Sequence, residues 1–231
     1  MQTLTEFSVR NDLDVSLAQS VSQILAQAIK LKGKASIAVS GGSTPKGFFA
    51  ELSQSDIEWS KVTITLADER WVSMDSQDSN TRLVHENLLQ NKAASARFFH
   101  LKDAEQLNES TLSDLNLQAN TTILPLDVLI LGMGEDGHTA SLFPCSDEIS
   151  QGLAADNSNA LLSVVPKTAP YQRISFSFAA LSQSKNTFLH LCGENKKVVL
   201  NQAMQSEDIF EMPIRAFLYH PTLNTQIYWA P

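Results

Sequence analysis

The chain has little cysteine: two in 231 residues, Cys145 and Cys192. That excludes a disulfide framework, and neither cysteine has CxxC or metal-ligand spacing, so a reducing cytoplasm is the expected compartment. Uninterrupted apolar runs are also missing. None approaches the ~18 residues that a membrane-spanning helix needs, and residues 1–7 carry neither the basic nor the apolar region of a secretory signal. Basic residues are outnumbered, 17 Lys and Arg against 25 Asp and Glu, for a net charge of −8. A nucleic-acid partner needs a basic face and is not expected. A small anionic ligand remains open, because a few local cations decide its binding and more distant charge is screened beyond about 10 Å. Internal repeats, low-complexity stretches and linkers are absent too, and no pair among the five histidines has metal-ligand spacing.

What is present is an ordinary globular composition, 43% hydrophobic and 18% charged. The length suits one large α/β domain spanning residues 1–231. Leu17, Val21, Ile24, Leu25 and Ala28 form a helical stripe within residues 14–31, with Gly33 as its stop. Residues 35–40 and 62–67 predict strands. Pro45 opens a helix through Leu52, Asn80 caps one reaching Leu89, and a weaker helix covers 107–117. Strands are predicted at 126–131, 160–165, 173–178 and 187–192, a helix at 194–204, and short terminal strands at 216–219 and 226–229. Residues 146–159 read as a surface loop or short helix. This alternation predicts a three-layer α/β/α fold, with a mostly parallel Rossmann-like sheet and a few short extra strands.

Three of the strands end in loops rich in glycine, hydroxyls and charge: Gly41–Thr44, Asp68–Arg70 and Gly132–His138. In an open parallel sheet the carboxyl ends of the strands share the edge where ligands bind, so a composite site is expected there. Gly41-Gly42-Ser43-Thr44 before a helix offers free amides, two hydroxyls and a positive dipole end to an anion. It is not a Walker A loop, because the spacing to Lys46 is wrong and no Ser or Thr follows that lysine. Asp68-Glu69-Arg70 sets two carboxylates beside a guanidinium, which alone reads equally well as a loop-ordering ion pair.

Gly132-x-Gly134-x-x-Gly137 matches the dinucleotide pattern literally. That pattern requires a long helix after the third glycine and a second strand ending in an acid about 20 residues on. Here Pro144 stops a helix early, and a polar stretch without strand character follows. The better reading is a catalytic turn, in which Asp136 orients His138 as a general base. His85, His100, His190 and His220 read as structural.

Together, Ser40-Gly41-Gly42-Ser43-Thr44-Pro45, Asp68-Glu69-Arg70-Trp71-Val72, Asp78-Ser79-Asn80 and the run from Gly132 to Pro144 resemble the 6-phosphogluconolactonases. Pro170-Tyr171-Gln172-Arg173-Ile174-Ser175 and Gly193-Glu194-Asn195-Lys196 agree, so the likeness runs through essentially the whole domain. The wider superfamily includes glucosamine-6-phosphate isomerase/deaminase, whose histidine turn is followed five residues on by a proton-shuttling glutamate. That position here is Phe143, which favours the lactonase.

The resemblance implies hydrolysis of 6-phospho-D-glucono-1,5-lactone, with His138 as base oriented by Asp136 and with Arg70 stabilising the oxyanion. It implies that Gly42, Ser43, Thr44, Arg173 and Lys196 hold the phosphate, and that Asp68 meets sugar hydroxyls or fixes Arg70. No metal or organic cofactor, and no obligate protein partner, is expected. The alternatives are an isomerase or deaminase, and a non-catalytic sugar-phosphate-binding regulator. The intact Asp136/His138 pair with Arg70, and the lack of an added binding module, speak against the regulator.

Overall fold

The computed structural model describes residues 2–231. In chain order the elements are β1 (Thr3–Glu6), α1 (Arg10–Lys32), β2 (Ala35–Val39), α2 (Lys46–Ser53), β3 (Val62–Leu66), β4 (Asp68–Arg70), α3 (Asn80–Asn87), β5 (Arg97–Phe98) and α4 (Glu109–Thr122). The second half adds β6 (Val128–Leu131), α5 (Ile149–Leu153), β7 (Leu161–Val164), β8 (Arg173–Phe176), α6 (Phe178–Leu181), β9 (Thr187–Cys192), α7 (Glu194–Ala203), α8 (Arg215–Leu218) and β10 (Thr225–Ala230).

The main sheet has seven strands in the order β1-β10-β9-β6-β2-β3-β5, and every neighbouring pair is parallel. From β2 the chain winds one way through β3 to β5, then returns to the other side of β2 as β6 and continues through β9 and β10. The winding direction therefore reverses between β2 and β6. These two strands pair only at Ile37↔Val128 and Ala38↔Leu129, so the crevice expected at such a switch point opens beyond their carboxyl ends. Ser40 bridges its walls, donating to the Ile130 carbonyl at 3.0 Å and accepting from the Gly132 amide at 3.2 Å.

All residues of β2 and β6 are buried, which is why β6 is a continuous apolar run and β2 is apolar but for Ser36. The α1 stripe of Leu13, Leu17, Val21 and Leu25 is fully buried. The helix ends where Gly33, at φ 75°, returns its amide to the Ile29 carbonyl at 2.8 Å.

The strands predicted at 160–165 and 173–178 are β7 and β8, and they join β4 in a separate three-stranded antiparallel sheet. Other expectations are corrected. Asp68–Arg70 is itself that sheet's edge strand, not a loop. Ala67 links the sheets, donating to Val39 at 2.8 Å and accepting from the Phe176 amide at 3.0 Å. The strand expected at 216–219 is the helical turn α8, since an apolar tetrad has no readable period. Its Arg215 guanidinium is buried and donates to the carbonyls of Ala203, Gln202 and Asp208. The cap of α3 is Ser79, whose hydroxyl accepts from the Arg82 amide at 3.2 Å; Asn80 is the first helical residue.

Candidate active site

Residues from both sheets line one cleft of about 330 Å³ at the switch point, among them Gly42, Ser43, Thr44, Asp68, Arg70, His138, Arg173 and Lys196. The turn after β6 forms one corner of it. Gly137, at φ 75°, sits where an added Cβ would lie 2.7 Å from Met212 Cβ. An added Cβ on Gly134 would lie 2.1 Å from His138 Nδ1. Gly134 thus leaves the space that the imidazole occupies and Gly137 makes room for Met212, and the Gly134 amide closes the turn on the His138 carbonyl at 2.8 Å.

Asp136 Oδ1 lies 2.5 Å from His138 Nδ1 and accepts from the His138 amide at 3.1 Å. With Nδ1–H given to the carboxylate, Nε2 is the nitrogen left with a lone pair. Burial works against the Asp136 carboxylate, but the hydrogen bond and charge of His138 outweigh it, and its pKa is lowered. The ring of Phe143 stacks on His138 with centroids 4.1 Å apart and planes at 28°. The Arg173 guanidinium lies 5.7 Å from the Phe143 centroid, so one aromatic ring contacts both the imidazole and a cation.

On β4, residues 68 and 70 share one face and residue 69 the other. Asp68 and Arg70 line the cleft. Asp68 Oδ2 accepts from Ser141 Oγ at 2.5 Å. Glu69 points away, and both its oxygens are occupied. Oε1 accepts from the amides of Arg70 (2.7 Å) and Asn80 (2.8 Å); Oε2 accepts from the Thr81 amide (2.7 Å) and the Ser79 hydroxyl (3.1 Å). It caps the start of α3 and has no free valence toward a ligand.

Arg70 donates Nη1 to the Asp78 carbonyl at 2.6 Å, and Arg173 donates Nη2 to the Pro170 carbonyl at 3.1 Å. The Nε of each is buried without a hydrogen-bond partner. Burial lowers the pKa of Arg173 from the ordinary guanidinium value; Asp68 opposes this and Arg70 adds to it. Lys196, in the first turn of α7, reaches back to the Met133 carbonyl at 2.7 Å, which uses one of its three donors. Ser43 and Thr44 spend their hydroxyls on no described residue. Among the described residues, no three His, Cys, Asp or Glu side chains form a metal-binding group.

Sequence reading missed Asn80, His190 and Cys192 as cleft residues. Asn80 Nδ2 donates to the Asp68 carbonyl at 3.0 Å and fills the space beside Gly41. His190 and Cys192 are at the carboxyl end of β9, and only the strand order brings that end beside β6.

The family model described as glucosamine-6-phosphate isomerases/6-phosphogluconolactonase matches residues 9–229. The chain belongs to this family. It is similar to the 6-phosphogluconolactonase of Rhizobium meliloti, 44% identical over 94% of this chain and 93% of that one. It is 40% identical to the 6-phosphogluconolactonase of Pseudomonas putida, over 98% of this chain and 92% of that protein. The crystal structure of a 6-phosphogluconolactonase from Shewanella baltica superimposes with a TM-score of 0.96 at 41% identity, over 100% of this chain and 98% of that one.

Proposed function

We propose that the protein hydrolyses 6-phospho-D-glucono-1,5-lactone to 6-phospho-D-gluconate, the lactone step of the oxidative pentose phosphate pathway. The observation that carries this reading is the Asp136–His138 pair, 2.5 Å apart, beside Arg70 in the cleft. The family and its lactonase relatives support it.

A lactone carbonyl is already electrophilic, so catalysis asks for an activated water and a cation at the developing oxyanion. In this reading His138 Nε2 removes a proton from water as the water oxygen bonds to the carbonyl carbon. Asp136 holds the ring through Nδ1 and stabilises the imidazolium. Arg70 stabilises the oxyanion, which then collapses with cleavage of the bond to the ring oxygen. The imidazolium returns its proton to that leaving alkoxide, leaving a hydroxyl and a carboxylic acid that ionises to solvent. Gly42, Ser43 and Thr44 hold the phosphate with Arg173 and Lys196, whose cations offset the acidic protein locally. Asp68 keeps Oδ1 for a sugar hydroxyl.

Isomerisation or deamination needs a further carboxylate near the base. Phe143 occupies that position and stacks on the imidazole, which supports hydrolysis instead. No described helix is long and apolar enough to cross a membrane. The pathway of its phosphorylated substrate supports a cytoplasmic site of action. The test is a pair of assays on purified protein, lactone hydrolysis against ammonia release from glucosamine 6-phosphate. Hydrolysis above the spontaneous rate without ammonia supports the reading; ammonia release overturns it.

A further inference from the structure

Three described non-glycine residues have positive φ: Asn91, Ala140 and Tyr171. Tyr171, at φ 71°, is the least expected, because an aromatic residue is strained there. It is 46% exposed, so burial does not hold it in place. Its hydroxyl donates to Asp78 Oδ2 at 3.0 Å. Its neighbours are tied as well: Gln172 accepts from the Trp71 amide at 2.7 Å and Pro170 accepts from Arg173 Nη2 at 3.1 Å. The Asp78 carbonyl in turn accepts from Arg70 Nη1 at 2.6 Å.

One bonded path therefore runs from Arg70 through Asp78 and Tyr171 to Pro170 and Arg173. It engages one Nη group of each arginine and leaves their buried Nε groups unpartnered. An exposed hydroxyl–carboxylate bond adds little stability, and the backbone of Tyr171 is strained. A strained residue persists when the surrounding structure over-determines it, and such residues cluster at functional sites. The Asp78 bond also pushes the Tyr171 phenol up, keeping it a proton donor.

We propose that the Tyr171–Asp78 bond is a clasp that sets Arg70 and Arg173 in register for the substrate, which makes Tyr171 and Asp78 positioning residues. The proposal rests on the lactonase reading of the cleft. Losing the clasp loosens both arginines together and leaves the fold intact.

The test compares Tyr171→Phe, Asp78→Ala, their combination and Tyr171→Gly with wild type. Tyr171→Phe is expected to lower kcat/KM for the phosphorylated lactone about five-fold, with an unchanged melting temperature. Asp78→Ala gives a similar loss, and the double variant falls no further, because one interaction is removed either way. Tyr171→Gly relieves the φ strain, so its melting temperature holds or rises while kcat/KM falls. Wild-type kcat/KM in Tyr171→Phe, or additive losses in the double variant, overturns the clasp. If wild type itself shows no turnover above the no-enzyme control, the lactonase reading fails. The clasp is then decided by calorimetry with 6-phosphogluconate: weaker binding to Tyr171→Phe supports it and equal binding overturns it.

Discussion

Arg70 and Arg173 are directly opposite partners on the antiparallel pair β4 and β8. Like charges in such a cross-strand pair repel, and each guanidinium keeps a buried Nε without a partner. An anion between or beside them relieves both costs. Arg173→Ala is expected to raise KM for the phosphorylated lactone by about 10- to 100-fold, the loss of a charge-assisted contact, with little change on unphosphorylated glucono-1,5-lactone. Arg70→Ala is expected to lower kcat on both substrates by about 100-fold. Steady-state kinetics on the two lactones checks the division.

Glu69 serves the fold and Asp68 the cleft. Glu69→Ala strips four hydrogen bonds from a buried position and uncovers the first amides of α3. It is expected to cost about 2–4 kcal/mol in denaturant unfolding. Asp68→Ala is expected to weaken catalysis more than stability.

The Phe143 ring stacks on the His138 imidazole. Phe143→Leu keeps an apolar side chain but removes the stacked face, worth about 0.5–1.5 kcal/mol for an aromatic pair. The expected result is a fall in kcat of up to about ten-fold with KM nearly unchanged, read from initial rates.

The glycine turn after β6 and the Gly41–Thr44 loop, which share one cleft, were legible in the sequence because each follows a buried strand with glycines and a cluster of polar groups. The second sheet was not. Its strand β4 has three residues and pairs with residues more than a hundred positions away, so no local pattern announces it. Reading Asp68–Arg70 as a loop also hid the strand alternation that separates Asp68 from Glu69. Strand β1, exposed along its length, and the two-residue β5 have one apolar residue each, too few for a readable period, and escaped for that reason. The placement of His190 and Cys192 at the cleft depends on β9 lying next to β6, a relation of topology and not of spacing.

His190 and Asp14 give the protein opposing pH responses. Burial lowers the His190 pKa to about 4, with Arg10 adding to the effect. Burial also raises that of Asp14 to about 6, with Glu51 contributing. His190 contributes stability above the ordinary histidine value, lost as pH falls through about 4. Asp14 contributes stability below the ordinary carboxyl value, lost as pH rises through about 6. Between these pH values the two slopes oppose each other in wild type. Asp14→Asn is expected to expose the histidine slope, losing up to about 1.4 kcal/mol per pH unit on acidification below 6. Urea unfolding from pH 7 to pH 4 measures it; a variant curve parallel to wild type contradicts the opposing slopes.

The most direct test of the account is the rate of 6-phospho-D-glucono-1,5-lactone hydrolysis by wild type and His138→Ala, each against a no-enzyme control at the same pH. General-base catalysis of this kind contributes about 10²- to 10⁴-fold. The account predicts a clear wild-type rate above background and a folded His138→Ala protein whose rate falls by at least the lower figure. A His138→Ala enzyme with near-normal turnover would contradict it.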